Sequence, residues 1–194
     1  MRHAMHRLRG LTMVELMVGL VVIGVIMMLA VPSVKRMMEN QRLRSVTYQL
    51  VTDIQLARAE AATRGEWARV AFRNNTDVTC YSIYTSSVSS EVCDCRLGAG
   101  AACTTTNTRE IRTVQVPRAL NVTVLPGQLR STFAFDHRTG GLATNPTDDI
   151  PSPLAGFTIV SQIEASRSLQ TSINRAGRVT MCAPLTSSIQ ETRC

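Results

Sequence analysis

The sequence predicts an α+β protein: a long N-terminal transmembrane helix packed against an antiparallel β head of about seven or eight strands. Three observations predict it. An apolar run of membrane length stands near the N-terminus, from Leu16 to Val31, or from Leu11 if Thr12 and Glu15 are tolerated. Helical periodicity then continues to about Thr63. From Trp67 the pattern changes to short alternating segments separated by turn residues, which is the signature of strands.

The residues from Leu11 to Val31 would span about 30 Å as a helix, one bilayer core. Arg2, Arg7 and Arg9 precede the run, and Lys35 and Arg36 follow it. That bias favours a cytoplasmic N-terminus. A cleaved secretory signal is the plain alternative, but the run ends in "MMLAVPSVKRMMEN", which lacks a convincing small-residue site. One carboxylate, Glu15, sits inside the apolar stretch. An acid in hydrocarbon is costly and needs a partner, or must reach the headgroups from the helix end.

Beyond Pro32, residues Leu43, Val46 or Thr47, Leu50, Ile54, Ala57 and Ala61 form one apolar stripe, with Arg42, Arg44, Gln55 and Arg58 between them. Pro32 removes one backbone donor and is expected to bend or loosen the helix. Gly65 is a plausible stop. A helix from Leu11 to Thr63 would be about 80 Å long. Its first half is apolar on all sides, and its second half needs a partner on one side.

The expected strands are "WARVAF", "CYSIY", "IRTVQV" (111–116), "LNVTVL" (120–125), "STFAF" (131–135), "FTIVSQI" (157–163), "SLQTSI" (168–173) and "RVTMC" (178–182). "DHRTGG" is a turn, and "NPTDDIPSPLAG" is a loop. "NRAG", Asn174 to Gly177, makes the last two strands a hairpin, with Gly177 where a side chain would be disfavoured.

Net charge is +7, but outside the first ten residues there are 18 basic residues against 14 acidic ones. Polyanion binding does not follow from that balance. Aromatic residues make up 4%, which argues against a large base-stacking surface. No hydrolase arrangement is convincing: His137 is the one histidine after the apolar run, and Asp136 beside it defines no triad. Asp148 and Asp149 lack the repeated oxygen spacing of a calcium loop. We therefore expect no enzyme, no cofactor and no metal.

Six cysteines, Cys80, Cys93, Cys95, Cys103, Cys182 and Cys194, all follow the apolar run and are disulfide candidates. The C-x-C spacing of Cys93 and Cys95 is too short for the usual structural zinc pair. It also disfavours a bond between the two, so each should pair with one of Cys80 and Cys103. Cys182 and Cys194 would then close the tail, for about 3 kcal/mol of stabilisation.

"RGLTMVEL", Arg9 to Leu16, resembles the processing signature of type IV prepilins and type II secretion pseudopilins. The resemblance implies that residues 1–10 are a prepilin leader, cut by a prepilin peptidase between Gly10 and Leu11, with N-methylation of Leu11. Leu11 departs from the family's usual phenylalanine. Residues 11–31 would be the membrane part of the helix, 32–64 its amphipathic periplasmic part and 65–194 the head. Gly24 and Pro32 match family positions, and Glu15 matches the acid that serves assembly. In a filament bundle the amine of Leu11 on a neighbouring subunit would partner Glu15.

"FAFDHRTGG" and "INRAGRVTMC" resemble the H-type minor pseudopilins and the related minor pilins FimT and FimU. The implied function is a minor subunit that helps prime a periplasmic filament. This would be foremost an H-type subunit of type II secretion, alternatively a type IV minor pilin for pilus assembly, twitching or DNA uptake. Its partners would be the peptidase, other minor subunits, the major subunit and the inner membrane. FimT-like proteins of some bacteria bind DNA through arginines at this turn, which makes Arg175 and Arg178 candidate phosphate contacts. Thr180 stands where that pattern has a second arginine, and a pair of solvent-facing turn arginines is the weightier alternative.

Overall fold

The computed structural model describes residues 12–87, 92–127, 131–143 and 156–194. Among these residues there are one α-helix and eight strands, in the order α1 (Met13–Arg64), β1 (Ala68–Asn74), β2 (Val78–Ser86), β3 (Thr108–Pro117), β4 (Thr123–Pro126), β5 (Thr132–Phe135), β6 (Phe157–Glu164), β7 (Arg167–Ile173) and β8 (Val179–Cys182). Helix α1 is continuous through position 32. At its end Gly65 donates its N–H to the Ala61 carbonyl. The chain divides into two compact units, one ending at Met38 and one from Glu39 to Cys194.

In the second unit the strands form two antiparallel four-stranded sheets, ordered β3-β2-β1-β5 and β4-β6-β7-β8. The stripe expected from periodicity is the buried face of α1: Leu43, Thr47, Leu50, Ile54, Ala57 and Ala61 are all inaccessible to solvent. The first sheet meets it with Val70, Phe72, Tyr81, Ile83, Phe133 and Phe135, and the second with Val124, Phe157, Ile159, Leu169 and Ile173. All four phenylalanines of the chain lie in this one core. Phe72, Phe133 and Phe157 bridge the sheets, with the Phe133 and Phe157 rings 4.6 Å apart.

Two expectations change. The alternation of "WARVAF" and "CYSIY" predicts one wet face, yet Ala68 to Phe72 and Thr79 to Ser86 are buried on both faces. The cysteine-rich loop is the reason. Cys93 and Ala102 pack on Ala71 and Tyr84, so the loop covers part of the outer face of the first sheet. Disulfides Cys80–Cys95 and Cys93–Cys103 fasten it. The Glu110 carboxylate accepts the N–H groups of Gly100 and Ala102, and the Gln115 amide donates to the carbonyls of Cys95 and Arg96. The second change is at "LNVTVL". Residues Arg118–Leu120 form a single 3₁₀ turn, Asn121 takes a left-handed φ of 56°, and only Thr123–Pro126 is strand. The turn reverses the chain after Pro117 so that β4 can join the second sheet instead of extending β3.

The β7–β8 hairpin forms as expected, with Ile173 opposite Val179. Beyond β8 the tail folds back: Cys182 bonds Cys194, and Arg44 of α1 donates to the Gln190 carbonyl and pairs with Glu191. The "NPTDDIPSPLAG" loop, with Asp148 and Asp149, lies outside the described residues except for Gly156.

Candidate assembly and recognition sites

The first candidate site is the N-terminal part of α1. From Met13 to Met28 every side chain is exposed, as are Val31, Val34, Met37 and Met38. The helix is long and apolar enough to cross a membrane. Nothing lies within 4 Å of a Cβ built on Gly24, so that position leaves an open notch for a neighbour. Thr12 caps the helix, its hydroxyl accepting the Glu15 N–H at 3.2 Å. Thr12 and Glu15 thus hold the spacing of a capping box, and Glu15 stands in the first turn, where the helix dipole favours an anion. The sequence carried this signal as "TMVE". Gly10 and Leu11 lie outside the described residues.

The second candidate site is where the two family-like motifs meet. After β5, the Asp136 carboxylate accepts the Arg138 N–H at 2.9 Å and the Thr139 hydroxyl, closing the "DHRTGG" turn. Asp136 is therefore occupied with its own turn. In "NRAG" the Asn174 side chain accepts the Arg178 N–H in the same manner. The two turns touch through backbone: Leu142 donates to the Arg175 carbonyl at 3.0 Å. A Cβ on Gly141 would lie 2.7 Å from that carbonyl oxygen, and one on Gly177 would lie 2.4 Å from the Gly140 oxygen. Gly177 also has φ +76°. These contacts require glycine, and they explain why both motifs end in it.

Arg58 of α1 lies at this junction, its guanidinium 3.5 Å from the Gly177 carbonyl, and a Cβ built on Gly140 or Gly177 would meet its Nε at 3.4 or 3.3 Å. An open groove of about 730 Å³ follows, floored by Gln55, Arg58, Ala59 and Ala62 and rimmed by Arg138 and Arg178, with His137 beside them. Arg58, Arg138 and Arg178 are exposed, and among the described residues none is ion-paired to a carboxylate. Arg175 is exposed as well but does not line this groove.

A third polar group escaped the sequence reading. Asp53 lies on the buried face of α1, 2% exposed; it accepts the Tyr81 hydroxyl at 2.7 Å and pairs with Arg112 at 3.1 Å. Burial, then the Asp53 hydrogen bond, pushes the Tyr81 phenol well above its usual range. The signal was present: Asp53 falls three residues after Leu50 and four before Ala57, inside the stripe. Among the described residues there is no group of three or more potential metal ligands. The cysteines pair as expected, and the structure selects Cys80–Cys95 with Cys93–Cys103.

An apolar N-terminal helix whose distal half is packed on an antiparallel two-sheet head, with paired glycine turns, is pilin-type architecture. The family model described as type II transport protein GspH matches residues 47–177, and the chain belongs to that family. A solved structure of the type IV minor pilin FimU from Pseudomonas aeruginosa (strain PAO1) covers 79% of this chain and 96% of its own, at 20% identity and a TM-score of 0.51. FimU in a second crystal form covers 76% of this chain and 98% of its own, at 17% identity and a TM-score of 0.48. No curated protein matches the sequence.

Proposed function

We propose that the chain is a minor subunit of a periplasmic filament, foremost an H-type subunit of type II secretion. The observation that carries this is the GspH match over residues 47–177, in a chain whose helix exposes apolar side chains from Met13 onward. On this reading residues 1–10 are the leader, Gly10–Leu11 is the cut, and Leu11 is N-methylated. Residues 11–31 span the inner membrane, with the N-terminus cytoplasmic and the head, from residue 65, periplasmic. Glu15 pairs with the amine of Leu11 on a neighbour, and Gly24 and Pro32 serve helix packing in the filament. The peptidase, the other minor subunits and the major subunit are the partners.

Mass spectrometry of the N-terminal peptide from native membranes tests the class. A peptide beginning at methylated Leu11, present only when the prepilin peptidase is present, is expected. An intact N-terminus in both strains refutes it. The fold shared with a type IV minor pilin supports the second reading, a subunit for pilus assembly. There, Arg175 and Arg178, both exposed, would offer phosphate contacts during DNA uptake. Deletion separates the two: loss of exoprotein secretion with pili intact assigns the first, and the reverse assigns the second.

A further inference from the structure

We propose that the groove between α1, the turn after β5 and the β7–β8 hairpin binds an acidic segment of a neighbouring subunit. Arg58 supplies the central guanidinium, and Arg138 and Arg178 supply the rim charges. The proposal rests on the filament-subunit reading.

The groove is built for an anion. Arg58 stands beside the paired turns, its Nη1 3.5 Å from the Gly177 carbonyl oxygen, so its guanidinium is already at the groove before any ligand arrives. A guanidinium has five N–H donors, and the single long contact to the Gly177 carbonyl leaves most of them for another acceptor. Arg138 and Arg178 have backbone N–H groups consumed by the Asp136 and Asn174 side chains, which fixes the two turns while the guanidiniums stay exposed. Three cations converge on one groove, and among the described residues no carboxylate pairs with them. Their mutual repulsion is relieved when an acidic ligand binds.

The observations favour a protein ligand over a nucleic acid. Among the described residues no Phe, Tyr or Trp lines the groove, so His137 is the one ring there for a base to stack on. Its floor carries the methyl groups of Ala59 and Ala62, which leave room for the backbone and an apolar side chain of an extended segment. Outside the first ten residues the chain has 18 basic and 14 acidic residues, which gives little field to steer a polyanion. A volume of about 730 Å³ holds a few residues rather than a long strand. Planar guanidiniums pair with carboxylates bidentately, which gives the charge match its geometry.

The test uses the full chain in neutral-lipid nanodiscs and three labelled probes: hexaglutamate, hexaglutamine and a 12-residue oligothymidylate. Hexaglutamate should bind above hexaglutamine and weaken as salt rises. Affinity should fall about tenfold or more in Arg58→Ala and in the double variant Arg138→Ala/Arg178→Ala. Arg58→Lys, which keeps the charge but loses the fork, should fall between wild type and Arg58→Ala. Arg109→Ala, an exposed arginine elsewhere, should change nothing. Thermal melts confirm that each variant is folded; should Arg58→Ala unfold, the double variant carries the test. Equal binding of the two peptides, tighter binding of the oligothymidylate, or an equal loss in Arg109→Ala overturns the proposal. In native membranes, a photo-crosslinker at Ala62 should yield an adduct to an Asp- or Glu-bearing peptide of another filament subunit, lost in the double variant. An adduct indifferent to the double variant overturns the groove. Processing at Leu11 is scored in the same cells: no adduct with processing intact overturns the groove alone, and absent processing overturns the subunit reading.

Discussion

Asp53 shows what one buried carboxylate does in a head of this size. Its oxygens face the Tyr81 hydroxyl from β2 and the Arg112 guanidinium from β3, so α1 is tied to two strands at one point. Arg112 is 45% exposed, so its ion pair is screened and contributes little. The buried hydrogen bond is the stronger tie, and Tyr81→Phe should cost about 1–2 kcal/mol at neutral pH. The pH dependence has a definite sign. The folded-state pKa of Tyr81 lies well above the ordinary phenol value of about 10, with burial the largest cause. Below that ordinary value both states hold the proton and stability is flat. Above it the unfolded chain releases a proton that the folded chain keeps, so stability falls by up to about 1.4 kcal/mol per pH unit. Tyr84, also raised by burial, adds to the same slope. Denaturation of the full chain in detergent from neutral pH to beyond pH 10 should therefore show an alkaline decline that Tyr81→Phe makes shallower. An unchanged slope would place the titrating group elsewhere.

At the scale of elements, the glycine turns decide how helix, sheet and hairpin meet. Gly177→Ala would put a methyl 2.4 Å from the Gly140 oxygen at a positive φ, so backbone must move. We expect a loss of at least about 2 kcal/mol, against a small effect for Ala176→Gly on the exposed side of the same turn. Thermal melts of the two variants check this, and equal melting would show that the turns do not need their close approach. Most elements were legible because their causes are local. The stripe from Leu43 to Ala61 follows helical period, the hairpin follows "NRAG", and the strand segments follow alternation. What was not legible depends on distant residues. Nothing near Ala71 or Tyr84 announces that Cys93 and Ala102 will cover them. Nothing in "LNVTVL" says that β4 crosses to the second sheet. Arg58 falls off the stripe and looks like a solvated arginine, because Gly177, whose carbonyl it faces, comes 119 positions later. The bases Arg175 and Arg178 were both singled out, yet only Arg178 lines the groove.

At the scale of the whole molecule, the head gathers most of its large apolar side chains into one core, while the N-terminal part of α1 exposes all of its own from Met13 to Met28. Such a helix is long and apolar enough to cross a membrane, and on the proposed filament reading Glu15 must be reconciled with lipid or with neighbouring helices. Two roles fall on this one carboxylate. Its place in the first turn, three residues after Thr12, is where the helix start favours an anion, and its charge is open to a neighbour's amine in the proposed filament. Glu15→Gln separates them, because glutamine also serves the capping-box position but carries no charge. If charge pairing with Leu11 governs assembly, Glu15→Gln is processed and methylated normally, accumulates in the membrane and is depleted at least about tenfold from the sheared filament fraction. Glu15→Ala should be depleted to the same extent. If capping is its main role, Glu15→Gln enters the filament as wild type does and only Glu15→Ala fails. Immunoblots of membrane and filament fractions from cells expressing each variant decide between the outcomes, and the second would remove Glu15 from the assembly interface.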